Sequence, residues 1–176
     1  MTFDSTAEKD AAPAFAALGA IRCNSPFDIT FEDKLGETFT ACPDFYHEQF
    51  GMYLEYKPCD LNTTTSKKSA RNALAAKVKK AAYDHREVST YDKISSSWSN
   101  SLYKHAIVQK ELNHYNFVVV LQKPPTLKDA ENFAKRGLTW CTLASLPSYM
   151  AFAHFHNRGI SAGFTQHAKG YTVTVH

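Results

Sequence analysis

The stretch Pro43 to Pro58, PDFYHEQFGMYLEYKP, constrains the fold more than any other part of this chain. Two runs of near-alternating residues flank a short turn carrying Gly51, the pattern of a β-hairpin, and Pro58 ends the second run because it has no N–H for a ladder. Side chains alternate along a strand, so Tyr53, Glu55 and Lys57 share one face while Met52, Leu54 and Tyr56 share the other. Asp44 and Glu55 stand about equally far from a turn centred near Gln49 and Phe50, so antiparallel pairing brings the two acids together.

The hairpin sits in a chain of alternating helical and extended signals. STAEKDAAPAFAALGA is helix-prone and stops near Gly19; Pro13 either opens the helix in its first turn or breaks an earlier turn. DITFED, TFTACPDFY and MYLEYK then predict three strands in a meander. Residues 63–83 form a lysine-rich helix, and a polar link leads to a second helix from about Trp98 to Leu112. NFVVVLQK reads as a buried, central strand. TLKDAENFAKRG has Thr126 as N-cap, Gly137 as stop and a Leu127/Ala130/Phe133/Ala134 face. A strand, an apolar loop or short helix, and the terminal strand GYTVTVH complete the chain.

With 176 residues, 44% of them hydrophobic, the chain is long enough for one domain with a core and too short for two large ones. A net charge of +3 falls short of a protein living wholly by phosphate contacts, so the distribution of charge matters more than its sum. No run is long and apolar enough for a membrane span, and MTFDSTAEKD lacks the marks of a signal peptide, which points to a soluble protein of the cytoplasm. Cys23, Cys42, Cys59 and Cys141 include no CxxC pair and fit reduced thiols, with a Cys42–Cys59 pairing left open.

Two carboxylates held close repel unless a cation sits between them. A hard divalent ion such as Mg²⁺, or Mn²⁺ as its substitute, suits Asp44 and Glu55, and the Tyr56 backbone carbonyl can complete the set. Lys57 would then stand beside an activated water, orienting it or helping to deprotonate it, and offset charge on an attacked phosphate.

Pro43-Asp44, ten intervening residues and Glu55-Tyr56-Lys57 resemble the PD-(D/E)xK signature of restriction-endonuclease-like nucleases. Within that superfamily the pattern is most similar to phage Holliday-junction resolvases of the endonuclease I type, where a proline-aspartate-phenylalanine strand, a glycine-bearing turn and a strand ending in acid-x-lysine follow in the same order. The likeness covers roughly residues 5 to 62, with weaker support from the later helix and FVVVL. It implies an α/β, restriction-endonuclease-like mixed central sheet flanked by helices, in a single domain over 1–176 with a basic helical insertion at about 63–95. It also implies a Mg²⁺-dependent deoxyribonuclease with Asp44, Glu55 and Lys57 as catalytic residues, Asp44, Glu55 and Tyr56 holding the metal, and a further acid from the first helix, for which Glu8 is the candidate and Glu37 the competitor. A phage origin would place it in the host cell cytoplasm, and the symmetry of junction substrates suggests a homodimer.

Lys67, Lys68, Arg71, Lys77, Lys79 and Lys80 form a run of one sign, a footprint for DNA phosphates or a solvated helix face. Gln109 and Lys110 are candidates for a polar group near the phosphate, His154 and His156 for a metal pair, and Trp98, Tyr115 and Trp140 for base stacking, with a core role as each aromatic's ordinary alternative. The other functional readings are a non-catalytic protein of the same fold that binds DNA or inhibits a protein partner, and a structural or assembly protein whose basic segment meets another protein.

Overall fold

The computed structural model describes residues 6–24, 27–30, 38–58, 64–86, 105–110, 112, 114–159, 162–167 and 170–175. Helix α1 (Thr6–Ala17) leads into strand β1 (Ile21–Arg22), a hairpin of β2 (Phe27–Thr30) and β3 (Thr38–Ala41), and the pair β4 (Phe45–His47) and β5 (Met52–Lys57). Helix α2 (Thr64–Tyr83), a helical segment α3 (residues 105–110), β6 (Phe117–Leu121), α4 (Leu127–Lys135), β7 (Trp140–Thr142), α5 (Leu146–Asn157) and the hairpin of β8 (Ala162–His167) and β9 (Gly170–Val175) follow. The fold is mixed α/β, built on a five-stranded sheet in the order β1-β4-β5-β6-β7. β1, β4 and β5 run antiparallel, whereas β5, β6 and β7 are parallel. Among the described residues no helix is long and apolar enough to cross a membrane.

Alternation along the strands sorts the core into two layers. Phe45, Met52, Leu54, Tyr56, Val118 and Val120 face α1 and α5, which contribute Phe15, Leu146, Tyr149 and Met150. Phe117, Val119 and Leu121 face the other way, onto Val108 of α3 and Phe133 of α4. Every residue of β6 is buried, as a strand covered on both faces requires. It lies between β5 and β7, inside the sheet as its unbroken apolar run implies.

Several expectations need correcting. The meander is split: TFTACPDFY breaks at Cys42–Pro43 into β3 and β4, which lie in different sheets, and β1 takes the place beside β4. Pro43 cannot donate to a ladder, so the extended run changes partner there. Helix α1 neither starts nor stops at Pro13 but continues through it. Pro13 is on the exposed side, as is Lys9, whose carbonyl loses its intrahelical donor and can turn to water. Of the apolar loop or short helix expected there, LPSYMAFAHFHN is the helix, 12 residues long. In α4 the buried residues are Asp129 and Phe133, and Leu127 is outside. Cys23, Cys42 and Cys141 are thiols. Cys59 and the expected helix start at Trp98 lie outside the described residues.

Two contacts tie α1 to the hairpin. Phe15 stacks on Phe45 with ring centroids 4.1 Å apart and meets the edge of Tyr56 at 5.7 Å. After the helix, Gly19 takes φ +84°, and a Cβ there would lie 2.9 Å from Nε2 of His47, which itself bonds the Leu18 carbonyl at 2.9 Å. Phe15 is wholly buried between helix and sheet. Replacing Phe15 by Ala should therefore cost about 3–5 kcal/mol of unfolding free energy, read as a lower urea midpoint; a loss below about 1 kcal/mol would show that α1 does not depend on this contact.

Candidate active site

The hairpin register pairs Phe45 with Leu54, so Asp44 stands opposite Glu55 one step further along. The Asp44 carbonyl accepts from Cys23 N–H at 3.0 Å on the β1 side, and the Lys57 carbonyl accepts from Gln122 N–H at 3.2 Å on the β6 side. Backbone groups alternate in direction along a strand, so neither Asp44 nor Glu55 directs its main chain at the other. They form a non-hydrogen-bonded pair, the kind in which Cα atoms approach to about 4.5 Å and side chains lie closest.

Tyr56 directs its backbone toward β4, where its ladder partner would be Pro43. Pro43 has no N–H to give the Tyr56 carbonyl, and the Tyr56 N–H donates instead to Oδ2 of Asp44 at 2.7 Å. Proline before aspartate thus has two effects at once. The carboxylate is pinned to the strand, and one main-chain carbonyl oxygen beside it receives no hydrogen bond from β4.

Lys57 lies on the same face as Glu55 and donates from Nζ to Glu55 Oε1 at 2.7 Å. The same oxygen lies 3.6 Å from Nε2 of His105, a buried residue of α3. Glu8 reaches in from α1 and pairs with Arg22 of β1 at 3.2 Å. Burial first, then the charge of Glu55, push the Asp44 carboxyl up to about 8, against the opposing pull of Lys57 and the Tyr56 N–H; Glu8 adds to the rise. For Lys57, burial favours loss of the proton, but Glu55, Asp44, the hydrogen bond to Glu55 and Glu8 outweigh it, and its pKa ends above the ordinary lysine value. Lys57 is therefore an ammonium at neutral pH, a donor and a positive charge rather than a base.

The structure gathers Asp44, Glu55, Lys57 and Glu8 into one electrostatic group, with the Tyr56 main chain among them. Glu37 lies outside the described residues. Lys67, Lys68, Arg71, Lys77, Lys79 and Lys80 are all in α2, where Arg71, Lys79 and Lys80 are exposed and Lys77 is half-buried. Gln109 does not serve the site: its amide donates to the Gly137 carbonyl at 2.8 Å and its oxygen accepts from Thr139 N–H at 2.8 Å, which fastens α3 to the α4–β7 connection. Lys110 is exposed. His154 and His156 are on a helix, where i and i+2 diverge, and they pack on Phe50 and Tyr115. Trp140 packs on Phe133 in the core, Tyr115 meets Phe152 edge-on, and Trp98 is outside the described residues.

Sequence reasoning missed His105 and Arg22. The signal for His105 is faint: it lies one helical turn before Gln109, on the face that α3 turns to the sheet. Arg22 belongs to a two-residue strand with no periodicity to mark it. The chain matches no family model, no curated protein and no solved structure.

Asp44 titrates higher in the folded protein than the ordinary 3.8, so its contribution to stability is fully present below pH 3.8 and is lost as pH rises through about 8. Asn at 44 can still accept the Tyr56 N–H and carries no charge. Asp44→Asn should raise the melting temperature of metal-free protein by a few degrees at pH 8 and change it little at pH 4. Equal melting of the two proteins at pH 8 would contradict a buried Asp44 whose charge is opposed by burial and by Glu55.

Proposed function

We propose that this chain is a divalent-metal-dependent deoxyribonuclease of the PD-(D/E)xK kind, hydrolysing phosphodiester bonds in DNA. The observation that carries the reading is the direct opposition of Asp44 and Glu55, with Lys57 bonded to Glu55 and the Tyr56 N–H bonded to Asp44. The placement of this hairpin after a helix that delivers an acid, and before a helix and a parallel strand, supports a restriction-endonuclease-like core.

The donor set fits a hard cation. Among the described residues no three His, Cys, Asp or Glu side chains form a ready-made metal cluster; the set here is two carboxylates and one main-chain oxygen, which suits an ion that keeps several waters. Mg²⁺, or Mn²⁺ in its place, would be held by Asp44, Glu55 and the Tyr56 carbonyl and would supply Lewis-acid activation of water and phosphate. Asp44, pushed up to about 8, would give up its proton to solvent when such an ion took its place. Lys57, kept cationic by its acids, would donate to the phosphate oxygens as negative charge develops in the transition state. Glu8 would strengthen the local field, with Arg22 fixing its carboxylate. The exposed cations of α2 would bind backbone phosphates, which position DNA without reading its sequence.

Purified protein would be incubated with linear, supercoiled and four-way-junction DNA in Mg²⁺, Mn²⁺ or EDTA, beside Glu55→Ala and Lys57→Ala. Cleavage should require the metal and fall by about 10²–10³ in the lysine variant, and at least as far in the glutamate variant. A folded wild type that binds DNA and cuts none of these substrates would replace this reading with that of a non-catalytic DNA-binding protein.

A further inference from the structure

Two nitrogen groups converge on one oxygen of Glu55. Lys57 Nζ, from two residues along the same strand, lies 2.7 Å from Oε1, and Nε2 of His105, from α3, lies 3.6 Å from it. The first distance is a hydrogen bond and the second is too long for one. The two groups are also held differently. Lys57 reaches its partner through a flexible four-carbon stem. The His105 ring lies over Phe117 with centroids 6.1 Å apart, and both sides of that contact are fastened through Thr139. The Thr139 N–H donates to Oε1 of Gln109, one turn after His105, at 2.8 Å, and its hydroxyl donates to the Phe117 carbonyl at 2.7 Å.

Phosphodiester chemistry asks Lys57 to serve two partners. Its ammonium is bonded to Glu55 in the structure, whereas the nuclease reading needs it on a phosphate oxygen as negative charge develops. When Nζ turns to the phosphate, Glu55 Oε1 loses that donor in a buried place, where a charged acceptor without its hydrogen bond is costly. His105 is buried beside the same oxygen. Its Nε2 stands within about 1 Å of hydrogen-bonding distance, a gap that a small movement of the Glu55 side chain closes.

We propose that His105 is a positioning residue, which takes Glu55 Oε1 over from Lys57 when Lys57 turns to the phosphate. The inference rests on the nuclease reading and adds to it a residue that acts through Glu55 rather than on the metal or the DNA. The exchange moves one hydrogen bond and transfers no proton: Nε2–H donates where Nζ–H donated before. Glu55 thereby keeps its place opposite Asp44 while the lysine is engaged elsewhere. A rigid ring on a clamped helix suits the waiting role, and a flexible ammonium suits the moving one.

The exchange can be imposed without metal or DNA. Lys57→Met removes the competing donor, and proton–nitrogen NMR spectra of the histidine side chains of that full-length variant should show the His105 Nε2 proton further downfield and slower to exchange than in wild type, its signal assigned by its loss in His105→Gln. In cleavage of DNA with Mg²⁺, His105→Phe, which keeps a ring but has no donor, should lower kcat about 10–100-fold at unchanged KM. His105→Gln, whose amide nitrogen can stand where Nε2 does, should recover most of that loss. No Nε2–H bond in Lys57→Met, or wild-type turnover in His105→Phe, would overturn the exchange and leave the nuclease reading standing. An equal loss in the Gln and Phe variants would make His105 a packing residue and overturn the exchange as well. A folded wild type that cuts no DNA would overturn the nuclease reading, and the catalytic use of the exchange with it.

Discussion

Two carboxylates face each other across the closest kind of antiparallel pairing, and much of the surrounding structure can be understood from what keeps them there. Asp44 and Glu55 are held by opposite means. Asp44 is fixed by a backbone N–H that a proline has released from the ladder, and Glu55 by a lysine two residues along its own strand. Neither support cancels the cost of charging both acids: burial first, and the repulsion of Glu55 second, push the Asp44 carboxyl up to about 8. Polar groups kept under such strain are more readily explained by chemistry than by stability.

The rest of the fold makes the strain affordable. β6 flanks β5 over five registered residues, and its buried apolar run leaves β5 little freedom to slip. Phe15 and Phe45 lock α1 against the sheet on one side, which sets Glu8 near the pair. On the other side α3 is clamped by Gln109 to the connection before β7, and that clamp sets His105 beside Glu55. The site thus stands on a sheet, with a helix on each face bringing a polar side chain to its edge.

The hairpin was legible in the sequence because strand periodicity is local. Alternation around Gly51 places Asp44 opposite Glu55 without knowledge of any other element. The unbroken apolar run of FVVVL and the Thr126 cap of α4 were legible for the same reason. The partner of β4 was not, because β1 is only two residues long and its pairing is a tertiary choice. Leu127 shows how a local rule fails: four apolar positions suggested one buried face, but the reciprocal bonds between Thr126 and Asp129 set a different rotation, with the acid inside and the leucine out. His105 was invisible for a third reason. A histidine becomes part of a site only through what a distant strand presents to it, here Glu55 Oε1.

The central claim is that the acid pair and the Tyr56 carbonyl form a seat for one divalent cation. Crystals grown or soaked in Mn²⁺, with diffraction recorded near the manganese absorption edge, test it most directly. The account predicts an anomalous peak within bonding distance of Asp44, Glu55 and the Tyr56 carbonyl oxygen. The absence of a peak there, with Asp44 and Glu55 ordered and Mn²⁺ in excess, would contradict it.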